Sequence, residues 1–225
     1  MNGGLVAVVP IRSLTGGKTR LAGVLSPEAR AALSRRMFRG VVAAALASGS
    51  VKVVAVVSPD PAALDLAATL DPAVIPVPQS PETPGLNAAI AEGVGFAARH
   101  GAAAALILFG DLPLLTGDDV RNLVRRDSPV VLAPDRHGTG TNALMLRLGT
   151  GPDDGRDFAF HFGPDSYAKH VDEAHRLGLD VATSLSAGTA LDLDTPDDLR
   201  RVLGAEASVL GEDASDIEPA LRDIA

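Results

Sequence analysis

The chain has 225 residues, 46% hydrophobic and 21% charged, with a formal net charge of −8. That balance suits one soluble domain with a sizeable core, and it excludes a nucleic-acid backbone or an anionic membrane as the main partner. The absence of cysteine excludes disulfide scaffolds, thiolate zinc sites and cysteine nucleophiles; the apolar runs are too short to span a bilayer and the start lacks a signal-peptide pattern, which gives a cytoplasmic expectation.

In chain order, "LVAVVP" (Leu5 to Pro10) predicts a buried strand ended by proline. A glycine-rich loop follows, then a long helix opened by Ser26 as N-cap with Pro27 at its first position. "VKVVAVVS" is a second strand, "DPAALDLAATL" a helix and "AVIPVP" a short strand. After a proline-rich loop, "GLNAAIAEGVGFAARHG" predicts a helix closed by Gly101. Next come the strand "AAAALILF", the helix "TGDDVRNLVRR", and two strands, "PVVLAPD" and "TNALMLRL", joined by a glycine-containing loop. "GPDSYAKHVDEAHRLG" predicts a helix, "DVATSL" a strand and "TPDDLRRVL" a closing helix capped by Thr195. This alternation predicts an α/β fold with a doubly wound, mainly parallel sheet and helices on both faces. Residues 1–204 read as one domain and 205–225 as an acidic tail, peripheral or an oligomer contact.

In such a sheet, ligands bind beyond the carboxyl ends of the strands. The first exit loop, "PIRSLTGGKTRL", combines Gly16 and Gly17 with Arg12, Lys18 and Arg20, a composition that can cradle phosphates. It lacks Walker A spacing. The loop "PQSPETPGLNAAI" contains Ser80 and Gly85 and places Asn87 in the first turn of the next helix. There its amide either reads a base or sugar or caps the helix.

Asp111 follows the fourth strand after a single glycine. Far along the chain, "ALDLDTPDDL" alternates Asp192 and Asp194 with Leu191 and Leu193. In an extended segment that puts both carboxylates on one face. Together with Asp111 they form a candidate Mg2+ site of hard oxygen ligands. The alternative is that Asp194 only caps the helix beginning at Pro196. Gly163 and Ser166 open a helix whose free N–H groups favour a phosphate or carboxylate, and Thr141 offers a hydroxyl from a strand start; plain capping is the alternative. His161 and His170 are assigned no role. Asp118 and Asp119 read as capping charge. No GxSxG elbow and no GxGxxG turn is present.

The segments "VPIRSLTGGKTRL", "PGLNAAI", "FGDLPLL", "TNAL", "FHFGPDSYAKH" and "LDLDTPDDL" follow one another as in the guanylyltransferases of coenzyme F-420 biosynthesis. The chain resembles that family from about Leu5 to Leu203. The first three motifs are shared loosely with molybdenum cofactor guanylyltransferases. The resemblance implies a Rossmann-like nucleotidyltransferase fold, GTP as donor, and a small three-carbon phospho-acid as acceptor, with pyrophosphate released. It implies Mg2+ on Asp111, Asp192 and Asp194, with Lys18 and Asp111 catalytic. Thr141, Gly163 and Ser166 would bind the acceptor, and Lys18, Ser80, Gly85 and Asn87 the nucleotide.

Where family members often carry lysine the chain has Arg12, which keeps the charge but not the point-like geometry, so Arg12 is assigned no contact. An acceptor phosphate is already an anion at neutral pH, so no histidine base is needed. Phosphoenolpyruvate, 2-phospho-L-lactate and 3-phosphoglycerate all fit as acceptors. The alanine- and arginine-rich, lysine-poor composition looks like a high-GC bacterium and favours phosphoenolpyruvate. A homodimer and a hand-over of product to the next pathway enzyme are compatible partners. Transfer to a molybdopterin or sugar phosphate, a non-catalytic GTP-binding regulator, and a glycosyltransferase are the competing readings.

Overall fold

The computed structural model describes residues 3–149 and 157–205. Seven strands form one sheet: β1 (Leu5–Pro10), β2 (Val51–Ser58), β3 (Val74–Pro78), β4 (Ala104–Leu108), β5 (Val130–Pro134), β6 (Thr141–Arg147) and β7 (Val181–Thr183). The helices are α1 (Pro27–Ala47), α2 (Pro61–Ala68), α3 (Leu86–Arg99), α4 (Gly117–Val124), α5 (Ser166–Arg176), α6 (Ala187–Ala190) and α7 (Pro196–Ala205). Each long element falls where the punctuation predicts it. Ser26 caps α1 by accepting from the Ala29 N–H, and Pro27 stands at its first position. Two short elements go beyond the sequence reading: a 3-10 turn at Thr19–Leu21 inside the first loop, and α6.

The strand order is β3-β2-β1-β4-β6-β5-β7, with only β6 antiparallel to its neighbours. The doubly wound, mainly parallel sheet is therefore present. The chain winds outward from β1 to β3, then returns to place β4 on the other side of β1. Between β1 and β4 the order reverses, so the loops leaving these two strands part and leave a crevice at their carboxyl ends.

Alternation along the strands feeds two cores. Ala7, Val9, Val54, Val56, Leu106 and Leu108 face α1, α2 and α4, where Phe38, Val41 and Leu123 are buried. Val6, Val8, Ala55, Val57, Ala105 and Ile107 face α3 and α5, with Ile90, Val94 and Ala174. Gly93 lets α3 approach the sheet closely, because a Cβ there would lie 2.3 Å from a Val8 methyl and 2.9 Å from a Val57 methyl. Gly93→Ala therefore costs about 1–3 kcal/mol through overpacking. A third cluster joins Leu21, Leu25, Leu33 and Met37 to Leu191, Leu193, Leu199 and Val202, tying the first loop to the end of the domain.

Helix α7 runs through Ala205, and the rest of the acidic tail, 206–225, lies outside the described residues. Among the described residues no helix is long and apolar enough to cross a membrane.

Candidate active site

Because β1 and β4 pair in parallel, their exit loops emerge side by side. Lys18, from the first loop, reaches across to Asp111, from the second. Its Nζ lies 2.6 Å from Asp111 Oδ2 and 2.8 Å from Asp194 Oδ1. The Lys18 backbone is left-handed, with φ 55° and ψ 40°, which is unfavourable for a residue with a Cβ. The 3-10 turn that follows buries Leu21 in the third cluster and so holds Lys18 in that conformation. Burial alone would lower the Lys18 pKa. The charges and hydrogen bonds of Asp111 and Asp194 outweigh it and hold the ammonium above its ordinary value. Arg20, mostly exposed, adds a looser contact 3.7 Å from Asp194 Oδ2.

Leu191 and Leu193 are buried, whereas Asp192 and Asp194 are half-buried and stand on the other side of the chain. This is the alternation read from "LDLD". The Leu193 N–H donates to the Asp111 carbonyl at 3.1 Å, joining the two acidic segments. Capping α7 falls to other residues: Thr195 Oγ1 accepts from the Asp198 N–H, and Asp198 Oδ2 accepts from the N–H groups of Asp194 and Thr195. Arg136 pairs with the other Asp198 oxygen. The Asp194 carboxylate is thereby left to face Lys18. Asp118 and Asp119 serve α4, Asp119 in a capping box with Thr116 and Asp118 paired with Arg121.

The third carboxylate depends on a residue that sequence reasoning missed. Asn142 Nδ2 donates to Asp192 Oδ1 at 3.2 Å and to the Thr189 carbonyl at 3.0 Å. In the β5–β6 ladder, Ala133 pairs with Ala143 but Pro134 pairs with Thr141, so Asn142 is the extra residue of a bulge. Strict alternation would put Thr141 on the face of Ala143 and Met145. The bulge instead turns it toward α5 while the Asn142 amide reaches the 189–192 segment. Burial raises the Asp192 pKa. The Asn142 hydrogen bond opposes that rise, and the charges of Asp111 and Asp194 add to it.

The donor set fits a hard divalent cation. Asp111 Oδ1 is buried with no hydrogen-bond partner, and three carboxylates share one neighbourhood. Among the described residues no group of three or more His, Cys, Asp or Glu is drawn together as a finished cage. Lys18 Nζ instead bridges two of the carboxylates.

A second cluster, built on hydroxyls, lies at the start of α5. Thr141 and Ser166 are each about 2% exposed. Ser166 Oγ accepts from the Thr141 N–H at 2.9 Å, and Thr141 Oγ1 lies 3.0 Å from His170 Nδ1. Gly163 is exposed at the tip of the preceding turn with φ 130°, a conformation glycine adopts without strain. Asp165, the N-cap, makes no side-chain cap bond and is also left-handed, at φ 58°. His170 is fully buried among Phe158, Phe162 and His161. Burial, reinforced by His161, pushes its pKa down to about 4.

The 78–87 loop stands between the two clusters. Asn87 makes a pair of bonds to one residue, donating to the Phe162 carbonyl at 3.1 Å and accepting from its N–H at 2.8 Å. Its amide thus ties the start of α3 to the turn before Gly163. Ser80 donates its N–H to Glu92, and the Gly85 carbonyl accepts from Gln79. A cleft of about 270 Å³ is lined by residues that include Arg12, Lys18, Leu86, Phe109 and Asp111. Lys18 and Asp111 therefore share one cavity wall with Leu86, while Ser80 and Gly85 lie outside its lining.

A doubly wound sheet with a basic loop after β1, and carboxylates converging where the strand order reverses, defines the nucleotidyltransferase class of α/β fold. Solved structures agree on the fold. The chain superposes with TM-score 0.78, at 17% identity, on a putative nucleotide-diphospho-sugar transferase from Desulfovibrio desulfuricans G20, covering 99% of this chain and 97% of that one. A nucleotidyl transferase from Methanothermobacter gives 0.63 at 17% identity, covering 89% and 96%. The family model described as "Guanylyl transferase CofC like" matches residues 5–213, and the chain belongs to that family. It is a GTP-dependent nucleotidyltransferase. It is 43% identical over 200 residues to a phosphoenolpyruvate guanylyltransferase of Rubrobacter xylanophilus, covering 87% of this chain and 92% of that protein. To a 3-phospho-D-glycerate guanylyltransferase of Phenylobacterium zucineum it is 36% identical over 197 residues, covering 85% and 86%.

Proposed function

We propose that the chain joins GMP from GTP to the phosphate of phosphoenolpyruvate, releasing pyrophosphate, as a step in coenzyme F-420 biosynthesis. The observation that carries this reading is the pairing of two unlike clusters on one strand end, a charged one at Asp192 beside Asn142 and a neutral one at Thr141. A phosphate oxygen of the acceptor attacks the α-phosphorus of GTP, and the bond to the bridging oxygen breaks with its electron pair leaving on pyrophosphate. No proton has to move, because the attacking phosphate is already ionised at neutral pH.

The barrier is the approach of two anions and their alignment. Lys18, held cationic, supplies positive charge beside the GTP phosphates. Asp111, Asp192 and Asp194 would hold Mg2+, which when bound neutralises phosphate charge and orients the oxygens. Thr141, Ser166 and Gly163 take the phosphate and carboxylate of the acceptor. The Ser166 hydroxyl proton has no acceptor among the described residues, and the Thr141 proton has none when His170 Nδ1 carries the ring hydrogen. An anion between them supplies one. The 78–87 loop, with Ser80, Gly85 and Asn87, is assigned to the guanosine, although Ser80 and Gly85 lie outside the cleft lining and the Asn87 amide is committed to Phe162.

Pyrophosphate release tests the reading, with GTP, Mg2+ and phosphoenolpyruvate, 2-phospho-L-lactate or 3-phospho-D-glycerate in turn. Release with phosphoenolpyruvate well above the other two is expected. No release with any of the three overturns the proposal, and release with 3-phospho-D-glycerate alone reassigns the acceptor.

A further inference from the structure

We propose that His170 is a positioning residue that fixes the direction in which Thr141 donates its hydroxyl proton to the acceptor. The proposal rests on the reading of Thr141 as an acceptor contact and adds to it a residue that touches no substrate.

The hydrogen bonds around the ring determine its tautomer. The His161 backbone N–H points at His170 Nε2 from 3.0 Å. A backbone N–H can only donate, so Nε2 carries no proton. The neutral ring then holds its proton on Nδ1, which faces Thr141 Oγ1 at 3.0 Å. Nδ1–H donates and the threonine oxygen accepts. The ring is kept neutral by burial and by His161, against the weaker pull of Glu173. Protonation would bring an Nε2–H against the His161 N–H.

Accepting from Nδ1–H leaves the Thr141 hydroxyl with one proton to give, and among the described residues nothing takes it. Ser166 repeats the pattern: its oxygen accepts from the Thr141 N–H and its own proton is uncommitted. Both hydroxyls are therefore pre-set as donors, which suits an anion. With the opposite tautomer, Thr141 would donate to His170 and present only lone pairs, which repel an anion. His170 itself is held in place by its edge-on contact with Phe162, ring centroids 4.5 Å apart. Phe162 is in turn fixed by the two bonds from Asn87.

Two substitutions separate the two faces of the ring. In His170→Asn the amide N–H takes the place of Nδ1 and keeps the bond to Thr141, while the acceptor for His161 is lost. In His170→Gln the amide oxygen reaches the place of Nε2 and keeps the bond to His161, while the donor to Thr141 is lost. Steady-state kinetics of these variants, of Thr141→Val and of the His170→Gln/Thr141→Val pair give the test, with thermal unfolding followed in parallel. One hydrogen bond predicts that Thr141→Val and His170→Gln each raise the KM for phosphoenolpyruvate about 5- to 10-fold, with the KM for GTP unchanged. His170→Asn stays within about 3-fold of wild type. The paired variant is no worse than Thr141→Val alone.

Equal effects of the Asn and Gln variants, or a full His170→Gln effect on top of Thr141→Val, overturn the proposal. An unchanged KM in Thr141→Val would instead remove Thr141 from the acceptor site and the proposal with it. A measurement on the wild-type protein covers variants that fail to fold. Proton–nitrogen correlation of the histidine rings at pH 7 should show His170 as the Nδ1–H tautomer, and an Nε2–H ring contradicts the proposal.

Discussion

The two clusters at the carboxyl end of the sheet are built on opposite electrostatic plans. One sets the Lys18 ammonium between the carboxylates of Asp111 and Asp194, with Asp192 beside them on Asn142 and Asp111 Oδ1 lacking a hydrogen-bond partner among the described residues. The other uses the hydroxyls of Thr141 and Ser166 over a buried neutral histidine. The difference teaches how one crevice can receive two anions. On the proposed function, the charged end would neutralise the polyphosphate of GTP, where attraction has to be strong. On the same reading, the hydroxyl end would hold the small acceptor anion by direction rather than by charge, and so would not compete for Lys18. A one-residue bulge separates the two plans, because Thr141 serves one and Asn142 the other.

Asp111→Asn breaks the charged plan at its centre. Turnover measured by pyrophosphate release should fall about 10³-fold or more, with the fold intact by circular dichroism. The neutral plan breaks with acid instead. His170 has a folded pKa of about 4 against an ordinary 6.5, so the unfolded chain binds the proton first. Its contribution to stability is complete above pH 6.5 and is lost as pH falls toward 4, by about 3 kcal/mol at most. Urea unfolding at pH 7 and pH 4.5 should show a larger loss in wild type than in His170→Asn. Asn142→Ala strips the support from Asp192 and is expected to lower activity or Mg2+ affinity about 10- to 100-fold, read from kinetics across a Mg2+ titration. Arg20→Ala removes only an exposed contact. Stability should change by less than about 0.5 kcal/mol in chemical denaturation, and activity within a few-fold.

Much of the charged plan was legible in the chain. The period-two alternation of Leu191 to Asp194 fixes which side chains share a face whatever the tertiary context. Proline and cap residues place Asp111 just beyond a strand. Thr195 and Asp198 even carry the spacing of a capping box, which is what frees Asp194 from that task. The neutral plan was half hidden. Thr141 and Ser166 stand at recognisable strand and helix starts, but the bulge at Asn142 is a property of register against β5, which no local pattern encodes. His170 acquires its meaning from a threonine 29 positions earlier, and Asn87 from a phenylalanine 75 positions later. A lone histidine in a helix and an asparagine in a first turn carry no such information by themselves.

The separation of the two plans is tested most directly by measuring both Michaelis constants in two variants, Lys18→Met and Thr141→Val. Lys18→Met should weaken the use of GTP about 10²-fold in kcat/KM while leaving the KM for phosphoenolpyruvate within about 2-fold. Thr141→Val should raise the KM for phosphoenolpyruvate and leave that for GTP unchanged. If either variant shifts both constants together, the two clusters are not separate anion sites and the division of labour described above is wrong.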